Sequence, residues 1–144
     1  MPSYTAEKII DAPREVVYAI FADRERSADF LPVQSRLESP GESERQGVGS
    51  VHFLGVGKVG VREQITKLVP NERIEYRLIA GAPVKDHTGT ITFADAGAGT
   101  KVTYTMDSTP KVRVPDAVLR LGLRGLIAGM LSGVSKEAAK RSAR

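Results

Sequence analysis

The chain has no cysteine and no tryptophan. Without cysteine there are no disulfides, no thiolate nucleophile and no cysteine-ligated zinc or iron–sulfur centre. Aromatic residues make up only 6% of the 144 residues, and none is interleaved with a basic cluster. Stacking on single-stranded nucleic acid therefore lacks its platform, and no nucleic-acid partner is expected. His52 and His87 are the only histidines. With no carboxylate at helical spacing beside them they do not make a metal site, so no metal and no cofactor are expected. There is no G-x-S-x-G nucleophile elbow. The opening MPSYTAEKIIDAP has no apolar stretch of signal-peptide length. Arg120 and Arg124 interrupt the best approach to the roughly 18 apolar residues a bilayer span requires. These absences point to the cytoplasm.

What remains is a chain of ordinary composition, long enough for one domain over residues 1–144 with a real hydrophobic core. Its formal net charge is +4 and part of the excess sits in the terminal KEAAKRSAR. A solvated helix end is the ordinary reading of such a tail; contact with nucleic acid or an anionic membrane is the alternative.

The last stretch, residues 114–141, organises the rest. Pro115 suits a first helical turn, where its missing amide costs nothing. Asp116 at the start and Lys136, Lys140 and Arg141 near the end complement the helix dipole. Leu119, Leu123, Leu126, Ile127, Met130 and Val134 recur at three- and four-residue spacing and form an apolar stripe. Such a helix runs roughly 40 Å at about 1.5 Å per residue. Gly122, Gly125, Gly129 and Gly133 follow the same spacing. Each costs about 1 kcal/mol relative to alanine inside a helix. A glycine stripe either leaves volume beside the helix or admits another backbone; the favoured reading is a helix that roofs a cavity.

Ahead of that helix, residues 3–11 read as a strand. Residues 14–23 read as a helix with Val16, Val17, Ile20 and Phe21 on one face, and residues 24–30 as a second short helix stopping before Pro32. Strand signals then repeat at 33–39, 47–54, 58–69, 73–79, 85–93 and 102–107, separated by turn residues. In 73–79, Ile74, Tyr76 and Leu78 alternate with Arg73, Glu75 and Arg77, as one dry and one wet face require. Val51 and Phe53 share one face of their strand. The order predicts an α+β fold: a seven-stranded antiparallel sheet, two short helices after its first strand, curled around a long C-terminal helix.

The stretches IIDAPREVVYAIFAD, RSADFLPV, VREQITKLVPNERIEYRL, GAPVKDHTG and GTKVTYTM carry a resemblance. Together with the long helix they resemble the START-like (SRPBCC) superfamily, nearest to its bacterial polyketide cyclase/dehydrase-like group. The resemblance implies a helix-grip fold with a cavity between sheet and helix. It implies no single function, because members include lipid carriers, receptors and aromatase/cyclases.

Gly55-Val56-Gly57-Lys58-Val59-Gly60 matches G-x-G-x-x-G by letter. A dinucleotide fingerprint needs a following helix, whereas here a valine-rich strand follows, so the glycines read as a hairpin. Alternation places Glu63 with Val61 and Ile65, and His87 with Ile91 and Phe93, on the apolar side of the sheet, where Tyr76 and Tyr104 add hydroxyls. Apolar walls with a few convergent polar groups describe a small-ligand site. The candidate lining is Phe53, Val61, Glu63, Tyr76, His87, Phe93, Tyr104, Met106, Leu126, Gly129 and Met130. Glu63 and His87 are also the candidate catalytic groups, and His87 is the cation expected to accompany Glu63.

Three functions fit. The first is binding or transport of a hydrophobic small molecule such as a lipid, polyketide or isoprenoid. The second is an aromatase/cyclase-type enzyme in which Glu63 or His87 removes a proton alpha to a carbonyl. The third is a peripheral membrane or macromolecular-interaction protein using the last helix and its basic tail.

Overall fold

The computed structural model describes residues 3–31 and 33–142. Pro32, read above as a helix stop, and Ala143 and Arg144 of the basic tail lie outside the described residues. Strand β1 (Ser3–Ile10) leads into helix α1 (Arg14–Ala22) and a 3-10 helix, Arg24–Asp29. The chain then forms β2 (Gln34–Ser39), β3 (Val51–Val56), β4 (Val59–Val69), β5 (Arg73–Ala80), β6 (Val84–Ala96) and β7 (Gly99–Pro110). Helix α2 (Asp116–Ser142) closes it. The strands lie in the order β1-β7-β6-β5-β4-β3-β2, every neighbour antiparallel. This is the seven-stranded antiparallel sheet that the alternation predicts, in the helix-grip arrangement that the resemblance implies.

Three boundaries differ from expectation for physical reasons. The second short helix is 3-10, its end closed by Phe30 N–H donating to the Ser27 carbonyl at 3.2 Å. Six residues are few for an α-helix, whose first turn costs the most order. Strand β3 starts at Val51 because Gly49 takes φ +92° and turns the chain first. Strands β6 and β7 run past the expected 93 and 102 until Gly97, at φ +63°, tightens their hairpin.

The G-x-G-x-x-G letters form the β3–β4 hairpin. Gly55 pairs with Gly60 across it, and a Cβ on Gly55 would sit 2.2 Å from the Val59 carbonyl oxygen. The glycines are there for two backbones in close approach.

One face of the sheet is dry. Ile65, Ile74, Tyr76, Ile91, Phe93, Val102, Tyr104 and Met106 are all buried there. Helix α1 brings Val17, Ile20 and Phe21 onto this face, and α2 brings Leu123, Ile127, Leu131, Val134 and Ala138. Phe21 meets Phe93 and Tyr104 edge-on at 5.6 and 6.2 Å between centroids, a geometry the aromatic quadrupole favours. The outer face carries charged pairs, among them Arg62 with Glu38 and Arg73 with Glu75.

Helix α2 corrects two expectations. Gly122, Gly125 and Gly129 are exposed, and a Cβ on any of them would meet no atom within 4 Å. They roof nothing. At about 100° per residue, Gly125 and Gly129 lie about 160° around the helix from Ile127, on the side away from the sheet. Leu126 is 59% exposed, on the shoulder of the stripe. Gly133 alone is a close-packing position: a Cβ there would lie 2.9 Å from the Phe30 carbonyl oxygen and from Leu31 Cδ2. The helix is also long and apolar enough to cross a membrane by length and composition, despite Arg120 and Arg124. Its second half is nevertheless packed on the sheet.

Candidate binding site

The site centres on one buried ion pair. Arg24, at the start of the 3-10 helix, and Glu63, on β4, form a salt bridge between Nη2 and Oε1, with both residues less than a tenth exposed. Glu63 does face inward, as alternation requires, but its cation is Arg24 rather than His87. Burial is the largest influence and works against the Arg24 charge, but the Glu63 carboxylate together with Tyr76 and Tyr104 outweighs it, raising the guanidinium above its ordinary value. The guanidinium also lies over the Tyr76 ring, 4.8 Å from its centroid, a cation–π contact.

Neighbouring contacts hold Arg24 in place. Ser35 Oγ on β2 donates to the Arg24 carbonyl. Gln46 Nε2 donates to Asp23 Oδ1 at 2.8 Å, while Gln46 Oε1 accepts from the Glu25 amide at 3.0 Å. His52 on β3 is fully buried and pairs with Glu63 in register. Its Nε2 lies 3.1 Å from Gln46 Oε1, which can only accept, so Nε2 carries the proton. Burial, helped by the Arg24 charge, pushes His52 down to about 4, so the ring is neutral at pH 7.

Tyr76 on β5 and Tyr104 on β7 share a hydrogen bond between their hydroxyls. The strand between them makes room: Gly89 on β6 is opposite Tyr76, and a Cβ there would fall 2.2 Å from Tyr76 Cζ. Burial raises both phenols well above the ordinary tyrosine value, so both are neutral. His87 is half-buried; burial lowers it, against the opposing pull of Glu63 and Asp107.

Between the sheet, α1, the 3-10 helix and α2 lies a cavity of about 10 Å³, space for a single water-sized group. Ile20, Phe21, Ile74, Ile91, Met130 and Val134 give it apolar walls; Arg24, Ser27 and Tyr76 supply the polar atoms, and Phe30 closes one side. A second, open groove of about 350 Å³ lies between the start of β1 and the first turns of α2, beside Arg120, Leu121 and Arg124. Among the described residues no three His, Asp or Glu side chains converge on a metal position.

The sequence-predicted residues divide accordingly. Tyr76 and Met130 line the cavity, and Glu63 reaches it through Arg24. Phe93, Tyr104 and Met106 belong to the same core. Val61 and His87 are half-buried and border neither void. Phe53 is buried on the opposite face, with the guanidiniums of Arg36 and Arg62 at 4.3 and 5.3 Å from its ring centroid. It pairs in register with both arginines, so parity excludes it from the cavity. Leu126 and Gly129 face solvent, as described above. Sequence reasoning missed Arg24, His52, Ser27 and Phe30. The one available signal for Arg24 was indirect: a glutamate on a dry face needs a buried cation.

The family profile described as polyketide cyclase/dehydrase and lipid transport matches residues 1–144. The chain belongs to that family. Solved structures agree on the fold. A START superfamily protein from Mycobacterium smegmatis superposes with a TM-score of 0.84 at 13% identity, covering 96% of this chain and 97% of that one. The protein TTHA0849 of Thermus thermophilus gives 0.75 at 23% identity, covering 98% and 99%. XoxI from Bacillus cereus gives 0.77 at 17% identity, covering 99% of each. No curated protein sequence matches significantly. The polyketide cyclase/dehydrase and lipid transport family and the START-like (SRPBCC) fold support a role in binding a hydrophobic ligand.

Proposed function

We propose that the protein holds a hydrophobic small molecule, a lipid, polyketide or isoprenoid, between the dry face of the sheet and α2. The observation that carries this reading is the apolar cavity with the Arg24 guanidinium, paired to Glu63, in its wall. At about 10 Å³ it is far below the ~300 Å³ or more of ordinary ligand pockets. Uptake of such a molecule requires the wall residues to move apart and enlarge this space. The enzyme reading is weaker, because the carboxylate that would serve as base is already engaged by Arg24.

Mass spectrometry of organic extracts from natively purified protein tests the reading, together with titration of the stripped protein with a hydrophobic fluorescent probe. A co-purifying apolar compound that displaces the probe at one site is the expected result. A protein that carries no such compound and takes up no probe saturably would overturn it.

A second reading has its own observation. Val112, Val118, Leu121 and Leu126 are exposed, with Lys111, Arg113, Arg120 and Arg124 beside them. Apolar residues set among cations suit the surface of an anionic membrane, where a carrier would load or discharge its ligand.

A further inference from the structure

Arg24 has donors left over. Its Nη2 holds Glu63, but its Nη1 is buried and has no hydrogen-bond partner. An unpaired buried donor costs about 1–3 kcal/mol, more when charged, so a native chain keeps one for a reason. The residue borders the cavity, and the cavity has room for one polar atom. We propose that Arg24 Nη1 and the Tyr76 hydroxyl form a subsite for the carbonyl oxygen of an uncharged hydrophobic ligand. This rests on the binding reading above and specifies the ligand's chemical class.

The charge balance selects the class. The Arg24 guanidinium is already neutralised by Glu63. His52 is neutral, burial lowers His87, and both tyrosines are protonated. A carboxylate or phosphate entering this space would add an uncompensated buried negative charge, which is costly. A neutral acceptor satisfies Nη1 at no such cost.

The donors select the carbonyl. In the Tyr76–Tyr104 hydrogen bond one hydroxyl donates and the other accepts. When Tyr104 donates, the Tyr76 proton is left without an acceptor, and Tyr76 is the one of the two that lines the cavity. Arg24 and Tyr76 both line the cavity, so each brings a donor to its wall. A carbonyl oxygen has two lone pairs and no proton of its own to place. An alcohol would bring a donor that needs a further acceptor.

A matched series tests this: a long-chain methyl ketone, the alkane of the same length and the corresponding carboxylate at pH 7.5, each competing against the fluorescent probe. The ketone should bind about tenfold tighter than either, the worth of one hydrogen bond to a charged donor. Arg24→Met alone strands Glu63 and can fail to fold, so the informative variant is Arg24→Met with Glu63→Leu, since apolar residues commonly replace a buried ion pair without loss. In it most of the ketone's advantage over the alkane should be lost, the remainder being what the Tyr76 hydroxyl supplies. Tyr76→Phe should lose part of the ketone preference. Carboxylate binding as tight as the ketone, or a ketone preference undiminished in the double variant, overturns the subsite while leaving hydrophobic binding in place. If none of the three ligands binds the wild-type protein, the binding reading falls and this inference with it.

Discussion

The two halves of α2 are written in the same alphabet and live in different surroundings. From Ile127 onward the large apolar side chains on the core face are sealed: Ile127 and Val134 are 0% exposed, and Leu131 and Ala138 are buried with them, while Met130 is half-buried. Before it, Leu123 is buried, but Val118, Leu121 and Leu126 are exposed. The second half has the turn after the 3-10 helix against it, with Phe30 and Leu31 packed at Gly133. The first half overhangs an open groove beside β1. Hydrophobic spacing reports which residues could share a face; it does not report how far the neighbouring elements reach. One half of the helix serves the core, and the other is free to meet something else.

The largest expected effect lies in the sealed half. Ile127→Ala should cost about 2–5 kcal/mol by losing transfer energy and leaving a cavity, whereas Leu126→Ala should cost no more than about 0.5 kcal/mol. Urea unfolding of the two variants reads the contrast directly. Equal losses would mean that Leu126 is covered in solution and the comparison is false.

Gly133 and the other glycines sharpen the same contrast with opposite signs. Gly133→Leu should destabilise by about 1–3 kcal/mol, since backbone at Phe30 stands in its way. Gly125→Ala with Gly129→Ala should instead stabilise by about 1 kcal/mol each, because only helix propensity changes in open space. Thermal melts would show shifts in opposite directions. A melting temperature lowered by the alanine pair would reveal a partner seated on that face.

Much of this architecture is legible in the chain. The alternation of Ile74, Tyr76 and Leu78 with arginines and a glutamate decides which side of β5 is dry, and the meander follows from turn residues at short intervals. Parity puts Glu63, Tyr76 and Tyr104 inside. Phe53 misleads because a buried aromatic need not belong to the apolar core; two arginine side chains bury it on the wet face instead. Arg24 is invisible for a different reason. It sits in RERSAD, a six-residue stretch rich in charge where no periodicity separates it from Arg26. What selects it is a tertiary fact, the position of β4 across from the 3-10 helix. The basic tail reads as solvated, yet Arg141 is half-buried and donates to the buried Glu137 at 3.0 Å.

The smallest effect on stability should accompany the largest on surface behaviour. Leu121 is 69% exposed and lies beside Arg120 and Arg124 at the open end of α2. Leu121→Asp removes apolar area that no part of the chain covers, so stability should move by no more than about 0.5 kcal/mol. If the overhanging half docks on membranes, wild-type protein should co-sediment with vesicles containing phosphatidylserine and release them as salt rises past about 0.15 M, where exposed charges are screened beyond roughly 8 Å. The Leu121→Asp variant should lose that binding, because it removes both the inserting side chain and a share of the positive field. The matching change in the sealed half, Leu131→Asp, should unfold the protein rather than alter vesicle binding of a folded one. Wild-type protein that stays in the supernatant at low salt would remove the membrane reading and leave the exposed residues as an ordinary apolar surface.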